Sequence, residues 1–159
     1  MRRIGWVSAT VCAAAVAMGG ARLVGANDQD KDEHRDGKSC SAATIRGDYG
    51  IQIQGTRPAP GGLTESVVGV VLRNYDGRGN ISQIDNVKGS ITGIVPDRQG
   101  FGTYDVSPDC TGIARFQPGP GILLEERLVI VDDGREIRTM VLAPASVMVT
   151  GVHQRIHSR

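Results

Sequence analysis

The segment GFGTYDVSPDCTGIARF, residues 100–116, reads as one β-hairpin. Phe101, Thr103, Tyr104 and Val106 suit a pleated, half-buried strand, and Ile113, Ala114 and Phe116 suit its return. Between them Pro108 and Asp109 supply turn chemistry, with Cys110 at the join. The flanking sequence repeats this grammar of short strands and Gly, Pro or Asp turns, which sets the expected class as all-β.

Upstream, Ile45, Gly47, Tyr49, Ile51 and Ile53 alternate with Arg46, Asp48, Gln52 and Gln54, the period-two pattern of a strand with one wet face. Residues 56–62 (TRPAPGG) read as a loop. Residues 66–75 (SVVGVVLRNY) are apolar on both phases, with Val68, Val70 and Leu72 opposing Val67 and Val71. A strand covered on both faces reads this way, so the run from Val67 to Leu72 is a candidate contact in a homo-oligomer. Residues 76–80 (DGRGN) form a hairpin turn, and Ile81, Ile84, Val87 and Ile91 break strict alternation, which predicts a bulge or two short strands. Asn80-Ile81-Ser82 matches a glycosylation acceptor, a three-residue pattern common by chance. Residues 93–99 read as a connection.

Downstream, residues 117–121 (QPGPG) turn the chain into a strand over 123–131, and Asp132-Asp133-Gly134 turns it again. Ile137, Thr139 and Val141 mark the return, Pro144 ends it, and Val147, Met148, Val149 and Val152 carry the last strand up to His153. That makes about eight strands, with no helical segment long enough for a parallel crossover. An antiparallel up-and-down barrel is the simplest closure, because it leaves no unpaired edge; a two-sheet sandwich is the alternative.

The 159 residues suffice for one domain. Arg2 and Arg3 precede an uncharged run over residues 4–20, and Val24-Gly25-Ala26 fits a signal peptidase, so residues 1–26 read as a cleaved secretory signal, with Ala21 as another cut point. A retained anchor is the alternative, but the run falls short of the roughly 20 residues of a bilayer span. Residues 27–39 are dense in charge of both signs and read as a disordered leader, residues 40–153 as the barrel and 154–159 as a polar tail. Loss of Arg2, Arg3 and Arg22 takes 18 Lys and Arg to 15 against 17 Asp and Glu, a net charge of −2. That balance lacks the basic excess of a nucleic-acid surface. The expected location is secreted or periplasmic, with no membrane association after cleavage.

Cys12 leaves with the signal, too early in the run for a lipoprotein cysteine, and leaves Cys40 and Cys110. Two cysteines in an exported chain read as a disulfide, with two buried free thiols as the alternative. Closing a loop of about 70 residues is worth about 4 kcal/mol in the chain-entropy view.

Candidate chemistry is sparse. No base stands ready for a serine or cysteine nucleophile, since His34 lies in the leader and His153 and His157 read as tail residues. Asp132-Asp133 lacks the alternating ligands of a calcium loop, so neither a metal nor a cofactor is expected. Glu126 stands out because it shares its phase with Leu124, Leu128 and Ile130. Pointed inward, it would need a cation such as Arg115 or Arg138 and could act as an acid, a base or a ligand anchor. The simpler reading places it at the rim, or outward on a bulge. Tyr49 and Tyr104 are core residues or, less simply, ligand contacts.

Cys40 with ATIRGDYGIQIQG (43–55), VGVVLRNYDGRGNIS (68–82), GTYDVSPDCTG (102–112) and VIVDDGREI (129–137) resemble a family of exported bacterial proteins with barrels like those of allene oxide cyclase, within the calycin-like group. The resemblance spans most of residues 40–151, and GTYDVSPDCTG is its most specific element. It implies an eight-stranded barrel with a Cys40 to Cys110 bridge. No cyclase catalytic motif falls on this sequence, and the lipocalin tryptophan signature is absent, since the only Trp, Trp6, lies in the signal. Two functions follow as expectations. One is a non-catalytic exported barrel that binds a small apolar ligand or a protein partner; the other is an isomerase or cyclase acting on a hydrophobic small molecule inside the barrel.

Overall fold

A computed structural model describes residues 39–156; the signal, all but the last residue of the leader, and the tail beyond Ile156, with His34 and His157, lie outside them. Eight strands follow in order: β1 (Gly47–Ala59), β2 (Leu63–Tyr75), β3 (Asn80–Gly89), β4 (Gly93–Val106), β5 (Thr111–Gly119), β6 (Ile122–Val131), β7 (Glu136–Ala143) and β8 (Met148–Arg155). Each pairs antiparallel with the next, and β8 returns to β1, with Ile51 opposite His153, so the sheet closes into an up-and-down barrel. Closure removes the sheet edges that a sandwich would leave open. Among the described residues no helix is long and apolar enough to cross a membrane.

The opening hairpin forms as read. β4 and β5 pair from Phe101↔Gln117 to Val106↔Gly112, and Cys110 holds the left-handed turn position at φ 64°. Cys40 is bonded to Cys110, with their Cα atoms 5.0 Å apart across a sequence separation of 70. Cys40 N–H also donates to the Pro108 carbonyl at 3.2 Å, so the residues before β1 are tied to the β4–β5 turn.

That tie seals one end of the barrel. Ala42–Ile45 form a single 3-10 turn rather than the start of β1, and Ile45 is fully buried. Beneath it Tyr49, Tyr75 and Tyr104 interlock edge to face, with centroids 5.4 and 4.9 Å apart. Leu128, Ile130 and Ile137 complete this core. Two of the three tyrosine hydroxyls find partners in the seal: Tyr49 donates to the Gly134 carbonyl, and Tyr104 donates to the Ala42 carbonyl at 3.0 Å. Arg155 donates to Tyr49 Oη at 2.8 Å and to the Thr44 carbonyl at 2.7 Å, fastening the last strand to the same cap.

Three connections differ from expectation. Residues 93–99 are the first half of β4, and the turn before them is only residues 90–92. Pro96 is tolerated because β4 carries an extra residue between Val87↔Val95 and Asp85↔Arg98, where a ladder bond is not needed. The bulge or break expected within residues 81–91 is not on that strand: β3 is continuous and alternates strictly, with Ile84 outward and Ile91 in the turn, and the extra residue lies opposite it on β4, where Asp97 has φ 49°. Residues 56–59 extend β1 rather than forming a loop; β8 pairs only as far as Thr56, so Pro58 needs a partner on one side alone. β8 in turn continues through Gln154 and Arg155, which were read as tail.

β2 is not covered on both faces in the single chain. Val67 and Val71 point inward, whereas Val68, Val70 and Leu72 point out and are 57%, 62% and 50% exposed. Ile84 on β3 lies opposite Leu72, and Phe101 on β4 is also exposed, so the outer wall there is apolar.

Candidate functional site

The half of the barrel away from the seal is hollow. A cavity of about 260 Å³ opens among the β1–β2, β3–β4, β5–β6 and β7–β8 connections. At about 30 Å³ per molecule of liquid it has room for on the order of nine waters. Its walls are mainly apolar, with Ile53, Val67, Val71, Phe116, Leu124 and Val141 supplied by five different strands.

One side of the cavity is charged. From β4 across β3 to β2, and then across the interior to β6, a continuous chain of hydrogen bonds joins Arg98, Asp85, Gln83, Arg73 and Glu126. Arg98 grips Asp85 with two bonds of 2.9 and 3.1 Å, and Gln83 donates to Asp85 at 3.1 Å. Arg73 donates through Nε to Gln83 at 2.8 Å and through Nη1 to Glu126 at 2.9 Å. Arg73 also lies over the Phe116 ring, 4.3 Å from its centroid. Burial works against the Arg73 charge, but the Glu126 carboxylate and the Tyr75 hydroxyl more than offset it and hold the guanidinium above its ordinary pKa.

Glu126 therefore points inward, as its strand phase indicates, and is 5% exposed. Its cation is neither Arg115 nor Arg138. Arg115 faces outward opposite Glu125 and pairs with it at 2.7 Å, and Arg138 pairs with Glu136 at 2.8 Å. Both lie on the outward phases of their strands, between Ala114 and Phe116 and between Ile137 and Thr139. Tyr49 and Tyr104 sit in the sealed half and are not part of the cavity wall. Burial raises the pKa of both.

Sequence reasoning missed Arg73, Gln83, Asp85 and Arg98. The usable signal was parity: Arg73 shares its phase with Val67 and Val71, and Gln83 and Asp85 share theirs with Ile81 and Val87. His153 was also missed. It is a core residue of β8 rather than part of a tail, 1% exposed and bracketed by Tyr75 and Thr139 at 3.2 Å each. Arg73 Nη1 donates to the Tyr75 hydroxyl at 3.2 Å and cannot accept, so the Tyr75 proton goes to His153 Nδ1. His153 then carries its own proton on Nε2, facing Thr139. Burial, and then the Arg73 charge, push the His153 pKa well below the usual value. Burial drives the Tyr75 pKa up to about 12.

At the open rim Glu65 holds the mouth in shape. It accepts from Arg57 at 2.7 Å, from the Ile91 and Thr92 amides at 3.0 and 2.9 Å, and from the Thr92 hydroxyl at 2.7 Å. The Thr92 amide bond is the largest cause that lowers its pKa to about 2. Gly89 stands directly beside it, where a Cβ would overlap the carboxylate. No group of three or more His, Cys, Asp or Glu among the described residues is placed to hold a metal ion.

No protein-family model, curated protein or solved structure matches the chain, so the chemistry of the site carries the functional reading.

Proposed function

We propose that the chain is an exported, non-catalytic barrel of the allene oxide cyclase-like, calycin-like kind, which takes a small, mainly apolar molecule into the open half of its interior. The observation that carries this reading is the cavity of about 260 Å³, closed at one end by the cap and tyrosine core and lined mostly by aliphatic side chains. An apolar pocket with a few convergent polar groups is the usual form of a small-molecule site. The Cys40 to Cys110 bridge supports a compartment outside the reducing cytoplasm. The stretches from ATIRGDYGIQIQG to VIVDDGREI support the kinship with exported bacterial barrels.

The alternative, an isomerase or cyclase acting on a hydrophobic small molecule, draws on one observation: a carboxylate, Glu126, stands in the cavity wall. Turnover by that route needs a base free to take a proton. Glu126 is engaged by Arg73 at 2.9 Å, which makes binding the better supported reading.

The test is fluorescence titration with aminoanthracene, an uncharged, largely apolar probe. Saturable binding to the wild-type chain is expected, and Val141→Phe, which fills the cavity from β7, should weaken it at least about tenfold. No binding to wild type, or equal binding to the variant, would overturn the proposal.

A further inference from the structure

The charged side of the cavity specifies what the ligand's polar group must be. Each arginine in the wall has a carboxylate of its own: Arg73 with Glu126 at 2.9 Å, Arg98 with Asp85 at 2.9 Å and Arg57 with Glu65 at 2.7 Å. The charges are paired one to one, so a ligand with a formal charge would enter a low-dielectric space and find no counter-charge free to meet it.

The Arg73–Glu126 pair also offers a particular hydrogen-bonding pattern. Among the described residues its bonds use Nε and Nη1 of Arg73 and Oε2 of Glu126. Among the described residues no side-chain polar atom cut off from solvent lacks a partner, so Arg73 Nη2 and Glu126 Oε1 look into the cavity that both residues line. Nη2 can only donate and the carboxylate oxygen can only accept. A single group that fits both must accept one hydrogen bond and donate another. A hydroxyl or a primary amide does this; a carboxylate cannot donate and an ammonium cannot accept.

We infer that the cavity selects uncharged ligands with an apolar body and one hydroxyl-like group, seated on the Arg73–Glu126 pair, and discriminates against carboxylates of the same skeleton. This rests on the binding function proposed above and adds the chemical class of the ligand. The arginines therefore do not serve as anion hooks. Their charge is consumed by the wall, and what remains is a donor beside an acceptor. The apolar faces of Val71, Phe116 and Leu124 would hold the ligand's body.

The experiment compares octanol with octanoate, two molecules of one skeleton, as competitors of bound aminoanthracene at neutral pH. In the wild-type chain octanol should compete at least about tenfold better than octanoate, since the carboxylate leaves an unpaired charge in the cavity. In Glu126→Gln the Arg73 charge loses its partner, and the order should reverse. Asp85→Asn, which frees Arg98 in the same way, should narrow or reverse the preference and serves if Glu126→Gln does not fold. Equal or stronger competition by octanoate in wild type would overturn the inference while leaving the binding function intact. So would an unchanged preference in the folded carboxylate variants. Failure of aminoanthracene itself to bind would instead remove the binding function on which the inference stands.

Discussion

The two halves of this barrel use opposite chemistry on the same eight strands. In the sealed half the inward positions carry Tyr49, Tyr75, Tyr104, Leu128 and Ile137 beneath Ile45 of the cap, each 2% exposed or less, with the Tyr49 and Tyr104 hydroxyls bonded into the cap. In the open half the inward positions of the same strands carry Glu65, Arg73, Gln83, Asp85, Arg98 and Glu126 among aliphatic neighbours. A core that excludes water gives stability. A wall of paired charges around a space gives up some of that stability and gains a defined pattern of donors and acceptors. The boundary between the halves is the Arg73–Tyr75–His153 contact, where the last guanidinium of the polar wall meets the first tyrosine of the core.

If the cap holds the sealed half together, opening the disulfide should give the largest effect. Reduction, or Cys110→Ser, removes a constraint across about 70 residues, worth about 4 kcal/mol, and should lower Tm by about 15 °C in thermal unfolding. Below the new Tm, aminoanthracene binding at the other end should survive. An unchanged Tm would show that the cap stands without the bridge, and loss of binding before unfolding would show that the halves are not separable.

The polar wall should respond to the loss of one partner more than to the loss of both. Arg73→Met leaves Glu126 inward and unpaired, and should cost about 3 kcal/mol in denaturant unfolding, near the low end for a buried pair because water can enter the cavity. Adding Glu126→Leu should recover most of that loss. If the double variant is as unstable as the single one, the pair contributes packing rather than charge balance.

Acid should separate the halves by pH. The folded-state pKa of His153 is depressed, so below the ordinary value of 6.5 the unfolded chain takes up a proton that the folded chain refuses. Stability should therefore fall from pH 6.5 downward, by up to about 1.4 kcal/mol per pH unit until the folded-state pKa is reached. His153→Gln should abolish that slope. Glu65 acts lower: its pKa is reduced from 4.5 to about 2, so its contribution is complete above 4.5 and disappears as pH falls towards 2. A His153→Gln chain that kept the full slope below pH 6.5 would place the titrating group elsewhere.

The same contrast explains what could be read from the sequence. Strand number, antiparallel order, the hairpin of β4 and β5 and the Cys40–Cys110 pairing were legible, because turns and alternation are local and the inward phase near the cap is apolar. The polar wall is not legible, because hydropathy assigns apolar residues to the interior. Along β2 both phases are apolar, so Arg73 looked like the end of a strand rather than part of an interior. Along β3 the inward residues Gln83 and Asp85 are polar while outward Ile84 is apolar, so hydropathy points the wrong way and only parity with Ile81 and Val87 holds. Glu126 was found because its own phase is otherwise aliphatic. Its partner was sought nearby in sequence, whereas in a closed barrel the residue that meets it can come from a strand far around the wall. His153 was misplaced for a different reason: the polar run after it resembles a tail, and nothing local shows that Arg155 anchors that run to the cap.

The smallest effect concerns two adjacent residues on β2. Val70 points out and is 62% exposed, whereas Val71 points into the cavity and is 6% exposed. Replacing either by Thr exchanges a methyl for a hydroxyl at nearly constant volume, so any difference in outcome reports environment alone. Val71→Thr should cost about 1 kcal/mol, since its hydroxyl enters an apolar part of the wall. Val70→Thr should change stability by less than about 0.5 kcal/mol, as exposed substitutions do. A loss at Val70 as large as that at Val71, with a Tm that rises with protein concentration, would mean that a second chain covers this outer face in solution. The β2 strand would then be buried on both sides, and its doubly apolar pattern would have a structural cause that the single chain does not supply.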